Sequence, residues 1–211
     1  MNYIENIYIC IAAPLIVSIL CLRGRRRRSM LFFLGGMTAC LAASYISTFL
    51  AMLHGADMTM ASIEISPMVE EILKLAPVLF YILVLEPEKE DIMGTMLMVS
   101  VGFATFENVC YLTGNGSAQL LHLLIRGFGT GAMHVVNGMI VGMGLYYLWN
   151  RLYLRFAGTA GLLALAITYH AIYNLLVAQS GAAARIGYIL PMLTVLLALI
   201  FGRKRLKNLA R

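Results

Sequence analysis

The stretch PMVEEILKLAPVLFYILVL at 67–85 is apolar over a length that suits a bilayer, yet its first turns hold Glu70, Glu71 and Lys74. As a helix it rises about 28 Å, close to the ~30 Å hydrocarbon thickness of a membrane. The three charged residues either mark the water boundary or form half of a reaction centre completed further along the chain.

The rest of the sequence decides for a membrane protein. Of 211 residues, 61% are hydrophobic and only 12% charged, about half the charge of a soluble domain, and the mean hydropathy is +0.83. Apolar runs recur at about 3–22, 30–53, 67–85, 92–112, 127–149, 157–179 and 186–202. Each is near the length of one helical span. The breaks between them are polar or Gly-rich: RGRRRR, HGADMTMASIEIS, EPEKED, GNGS, NRLYLR and QSGAAAR. The expected fold class is all-α, a polytopic transmembrane helix bundle of about seven spans in one integral membrane domain, 1–211. The arginines of the first stretch follow its apolar part and Glu5 precedes it, unlike a signal peptide, so 3–22 reads as a retained first helix.

Orientation follows from Lys and Arg. Placing RGRRRR (23–28) inside puts the N-terminus outside, NRLYLR inside, and the basic tail RKRLKNLAR (203–211) on the cytoplasmic side. Two full spans within 118–149 would export that tail, so 118–126 is expected as a short interfacial helix at the outer surface. The formal net charge of +6 sits largely in those two runs. Beside apolar helices they face anionic lipid and set topology, and nucleic acid is not expected as a partner. Cys10, Cys21, Cys40 and Cys110 form no CxxC pair and read as small buried hydrophobes.

Depth within the spans gives a functional hypothesis. Glu70, Glu71 and Lys74 occupy the outer turns of the third span, Glu107 lies about six residues from the outer end of the fourth, His134 about seven into the fifth, and His170 about nine from the outer end of the sixth. At 1.5 Å per residue these are depths of roughly 6 to 14 Å. Charges in hydrocarbon cost up to about 2.5–3.5 kcal/mol each, so a shared layer implies pairing or a hydrated cavity.

Within helices, Lys74 is i+4 from Glu70 and i+3 from Glu71 and can neutralise one of them; an interfacial anchoring pair is the plainer alternative. Phe103 and Glu107 share a face, with Asn108 beside them, and Glu107 needs a partner from another helix. Gly127, Gly131, His134, Gly138 and Gly142 trace one face of the fifth span, where small residues admit a close neighbour. His170 and Asn174 stand one turn apart and can both donate to an oxyanion. Arg126, at the mouth of the fifth span, is free to pair with Glu70, Glu71 or a substrate carboxylate, or to anchor at headgroups. His54 and His122 read as surface residues.

Two schemes use this set. In one, a glutamate is the general base that aims a water at a peptide carbonyl, with His170 and Asn174 stabilising the tetrahedral oxyanion. In the other, His134, His170 and Glu107 bind zinc, whose water attacks. The sequence suits both. A proton-coupled transporter is the main rival, although a relay would spread its groups through the full thickness; a non-catalytic receptor on the same scaffold is the second.

The residues EEILK (70–74), FATFEN (103–108), Arg126 with His134 eight residues on, and HAIYN (170–174) resemble the PrsW family of intramembrane proteases, whose pattern is EExxK, FxxxEN, RxxxxxxxH and HxxxN. The likeness covers 67 to 178, the expected catalytic core. It differs from the wider CAAX prenyl protease and bacteriocin-processing relatives, which carry EExxxR and FxxxH, in ending the second motif with Glu107. The resemblance implies a catalytic cavity opening on the extracytoplasmic side of the cell membrane. It also implies site-1 cleavage of a single-pass anti-sigma factor, a stress-response step that begins sigma factor release. Catalytic candidates by that likeness are Glu70, Glu71, Glu107, His134, His170 and Asn174, with Lys74, Phe103, Asn108 and Arg126 in support.

Overall fold

The structure, a computed structural model, describes residues 4–115, 120–149 and 152–209. Within these it is helical, in the order α1 (Ile4–Cys21), α2 (Gly24–His54), α3 (Met58–Met60), a π-turn (Ala61–Ile65), α4 (Ser66–Leu85), α5 (Lys89–Asn115), α6 (Leu120–Leu148), α7 (Leu152–Val177) and α8 (Ala182–Leu209). Six of them, α1, α2, α5, α6, α7 and α8, are long and apolar enough to cross a membrane. The α4 helix has the length, but Glu70, Glu71 and Lys74 set it apart from the other six.

Local signals set the ends. The α2 helix closes at Gly55, whose φ of 63° lets its N–H return to the carbonyls of Ala51 and Met52, the left-handed stop that glycine makes at least cost. Asp57 caps α3 by accepting from the Met60 N–H at 2.8 Å, and Pro67 sits in the first turn of α4, where no backbone donor is lost. Two boundaries differ from the sequence reading. RGRRRR is not a loop: from Gly24 on it forms the first turns of α2, and Arg28 pairs with Asp91 of α5 at 2.6 Å. The separate interfacial helix expected at 118–126 is, from Leu120 on, the beginning of α6; residues 118 and 119 lie outside the described residues. That segment is apolar enough to continue the 3.6-residue pattern into the span without a break.

Close crossings build the bundle. A Cβ on Gly36 of α2 would lie 2.0 Å from the Val99 carbonyl oxygen of α5, and one on Gly102 of α5 would lie 2.0 Å from that of Phe33 of α2. Each glycine admits the other helix's backbone. Gly138 and Gly142 seat α6 against Ser100, Met96 and Met93 of α5, but Gly131, expected on the same stripe, meets nothing within 4 Å. Two apolar clusters result. One joins Leu75, Val78 and Ile82 of α4 to Ile92, Met96, Val141 and Leu145; the other joins Met37 and Cys40 of α2 to Val69, Phe103 and Phe106. Ile72, Phe80 and Leu83 on the opposite side of α4 are exposed, as lipid-facing residues should be. Cys40 is buried, but Cys10 and Cys21 are exposed, against the expected burial: α1 packs mainly on α2 and turns its remaining faces outward.

Candidate active site

The face of α4 that carries Leu75, Val78 and Ile82 into the core carries Glu71 and Lys74 one turn earlier, so helical period alone drives both charges inside. Glu71 is 1% exposed and Lys74 is 0% exposed, which overturns the alternative of an interfacial anchor. Their burial is tolerable because Lys74 Nζ and Glu71 Oε1 are bonded, while Glu71 Oε2 has no hydrogen-bond partner among the described residues. Lys74 Nζ lies 2.6 Å from Glu71 Oε1 and 2.8 Å from His134 Nδ1, and stands over the Phe103 ring at 5.0 Å. Glu71 Oε1 also accepts from Asn137 Nδ2 at 2.7 Å and lies 2.8 Å from His170 Nδ1. Asn137 further donates to the Ala166 carbonyl at 3.2 Å, tying α4, α6 and α7 together.

Above this buried layer stands a second set that faces a cavity of about 460 Å³, bordered by Glu70, Glu107, Arg126, His170, Tyr173 and Asn174. Glu107 finds its cross-helix partners on α6: His134 Nε2 at 2.5 Å and Arg126 at 3.1 Å. Arg126 thus pairs with Glu107 and with Asn108, whose Oδ1 accepts at 2.5 Å, rather than with Glu70 or Glu71. It also stacks on Tyr111 at 3.8 Å. The His134 and His170 rings meet edge to face at 5.1 Å. Asn174 donates to the backbone carbonyl of Ser62 in the π-turn at 2.7 Å, and Tyr173 exchanges a hydrogen bond with Thr130 at 2.8 Å. Glu70 Oε2 is buried without a hydrogen-bond partner among the described residues, 3.7 Å from His170 Nε2. His54 is exposed. His122 is exposed too, but it borders the cavity and contacts Tyr111 at 3.1 Å.

All six residues expected to be catalytic therefore come together: Glu70, Glu107, His170 and Asn174 border the cavity, and Glu71 and His134 each bond to one of them from behind. Asn137 was missed. Its signal was available: an amide one turn beyond His134 inside an apolar span has to find partners.

A family model described as PrsW family intramembrane metalloprotease matches residues 25–200. The chain belongs to the PrsW family. It is a multi-pass membrane peptidase, and its substrate is a membrane protein. No curated protein and no solved structure matches it significantly.

The metal named in the PrsW family's description can be tested against the donors present. Glu70, His134 and His170 each offer a ligand atom, all within 4.8 Å of one another. Glu70 rather than Glu107 completes this group, because the Glu107 carboxylate is engaged by Arg126 and His134. His170 is oriented through Nδ1 by the Glu71 carboxylate, an arrangement common behind metal-bound histidines, and the unpartnered Glu70 Oε2 faces its Nε2. His134 would offer Nε2 in the tautomer that carries its proton on Nδ1, with Lys74 then no longer donating to that nitrogen. The residues fit a metal with two nitrogen donors and one oxygen donor.

Proposed function

We propose that this protein hydrolyses a peptide bond of a membrane-anchored protein near the extracytoplasmic face, with Glu70 activating the attacking water. The carrying observation is the division of labour between the two adjacent glutamates. Glu71 is buried behind the cavity with its Oε1 engaged by Lys74, Asn137 and His170, whereas Glu70 borders the cavity; each keeps an oxygen without a hydrogen-bond partner among the described residues, but only Glu70 stands on the cavity.

The roles follow from hydrogen-bond chemistry. An ionised carboxylate only accepts, so Glu71 fixes the proton of His170 on Nδ1 and leaves the Nε2 lone pair directed toward Glu70. A water held between Glu70 and His170 is then deprotonated inside the cavity. This assignment moves His170 from oxyanion donor to proton acceptor. Oxyanion stabilisation falls to Asn174, whose amide already holds a carbonyl oxygen at 2.7 Å, and to the Arg126 guanidinium on the same cavity. Without a metal, Lys74 donates to His134 Nδ1, which leaves the His134 Nε2 proton for Glu107 and steadies the far wall.

In the metal-dependent form of this reading Glu70, His134 and His170 would hold the metal, Glu70 and His170 serving as ligands instead of bases; a His2Glu set suits zinc, which would lower the pKa of its water and polarise the scissile carbonyl.

Orientation rests on charge. The site lies at the end where α2 finishes and α4 begins, opposite the arginines of 25–28, which belong at the cytoplasmic face against anionic lipid. With α4 counted, the chain spans seven times as one unit, 1–211, with its catalytic core at 67–178. The substrate implied by the family likeness is a single-pass anti-sigma factor cut at site 1.

Purified protein in liposomes with a single-pass substrate tests the assignment. Cleavage should be lost in Glu70→Gln and His170→Ala while both variants still insert. Full activity in Glu70→Gln, Glu71→Gln, Glu107→Gln, His134→Ala and His170→Ala together would refute the site.

A further inference from the structure

Beside the catalytic cavity lies a larger one, about 820 Å³, bordered by Ser44, Ser47 and Thr48 of α2 and by Ser62, Ser66 and Glu70. Ser62, Ser66 and Glu70 border both cavities, so the two meet at the π-turn and the first turns of α4. Both volumes fall within the range of ligand pockets.

The hydroxyls of this cleft are not equivalent. Ser44 donates to the Leu41 carbonyl at 2.8 Å and Thr48 to the Ser44 carbonyl at 2.7 Å, closing back on their own helix as Ser and Thr in helices do. Ser47 does not. Its residue is 8% exposed, and its Oγ is buried without a hydrogen-bond partner among the described residues. Ser47 borders a cleft that reaches the reacting carboxylate, and its unpaired hydroxyl has a donor and an acceptor still to be satisfied.

A membrane peptidase has a particular need for such a group. A transmembrane substrate helix satisfies its own backbone, and the segment to be cut must first leave the helix. Its freed N–H and C=O groups then require partners, or the unwinding cost falls on the reaction.

We propose that this cleft is a substrate subsite that receives an extended stretch of the substrate next to the scissile bond, with the Ser47 hydroxyl hydrogen-bonded to its main chain. The proposal rests on the peptidase reading and extends it: Glu70 reaches the bond to be cut, while α2 and the π-turn hold the adjoining residues. Ser47 acts in binding and touches no reacting atom.

Two measurements test it. Ser47→Ala should raise KM about 2- to 13-fold, the net worth of one hydrogen bond, and leave kcat unchanged. Unchanged KM, or a fall in kcat alone, overturns the subsite. Independently, Ser47→Cys in a Glu70→Gln background is crosslinked to single-cysteine substrates scanned along the cut region, with the unsubstituted Ser47 protein as reference. Crosslinks at alternate substrate positions next to the scissile bond support an extended segment. A three- to four-residue repeat indicates a docked helix, and no crosslink above reference indicates a cleft filled by lipid or water; either overturns the proposal. Cleavage by the wild-type protein separates the two readings. If it cuts and Ser47 variants behave as wild type, only the subsite fails; if it never cuts, the peptidase assignment fails first.

Discussion

Replacing Lys74 by Met removes a buried charge at nearly constant volume and should be among the most destabilising single changes in the bundle. Lys74 is 0% exposed and contacts Glu71 Oε1 at 2.6 Å and His134 Nδ1 at 2.8 Å. Removing one member of such a pair strands the other as an uncompensated charge and costs about 3–5 kcal/mol, or about two to nearly four orders of magnitude in the folded-to-unfolded ratio. The expected loss can be read by titrating SDS into protein in mild micelles and following helix loss by circular dichroism. The second arm is Lys74→Met combined with Glu71→Gln. The amide still accepts from His170 and Asn137, but no stranded charge remains, so stability should return to within about 1.5 kcal/mol of wild type while cleavage stays low. A single variant less than about 1 kcal/mol from wild type, or a double variant as unstable as the single, would show that the two side chains do not neutralise each other.

Three further outcomes follow from the same geometry. Asn137→Ala should cost about 1–3 kcal/mol by stripping Glu71 and the Ala166 carbonyl of a donor, and should lower kcat more than it raises KM, measured on the same substrate in liposomes. Gly36→Ala and Gly102→Ala should each destabilise by about 1–3 kcal/mol or more, because the added carbon meets backbone at 2.0 Å, whereas Gly131→Ala, with open space around it, should be neutral or gain up to about 1 kcal/mol of helix propensity; SDS titration ranks all three. Zinc at about 100 times its Kd should stabilise the wild type by about 2.7 kcal/mol, and Glu70→Gln or His170→Ala should remove that increment together with the bound metal counted by elemental analysis.

Hydropathy and helical period made the spans legible, because each apolar run faces lipid on at least one side and ends at a charge, a glycine or a proline. Counting residues from the span ends also suggested that Glu70, Glu107, His134 and His170 share a layer, and side chains of α4, α5, α6 and α7 do meet around them. Direction around each helix was not. Nothing in HVVN says that Asn137 turns to Glu71, or that Lys74 bonds His134 as well as a carboxylate, because those contacts depend on how three helices are rotated against one another. The roles of the paired glutamates were hidden in the same way: neighbours in a helix point about 100° apart, and only the positions of α6 and α7 decide which of them is enclosed. Helix ends were misjudged where the sequence is charged. The arginine run extends α2 instead of interrupting it, since arginine is a good helix former once its head group reaches water.

The charge enclosed on α4 has a consequence for biogenesis. Three ionised groups at the bilayer centre would oppose insertion by on the order of 8–10 kcal/mol, less near the interface, against a few tenths of a kcal/mol gained per leucine, isoleucine or valine. Emerging from the ribosome, α4 has only the local Lys74–Glu71 contact to blunt that penalty, since Asn137, His134 and His170 are translated later. Its final seating must wait for α6 and α7, so truncation before about residue 170 should leave α4 stalled at the membrane surface, open to quality-control proteolysis.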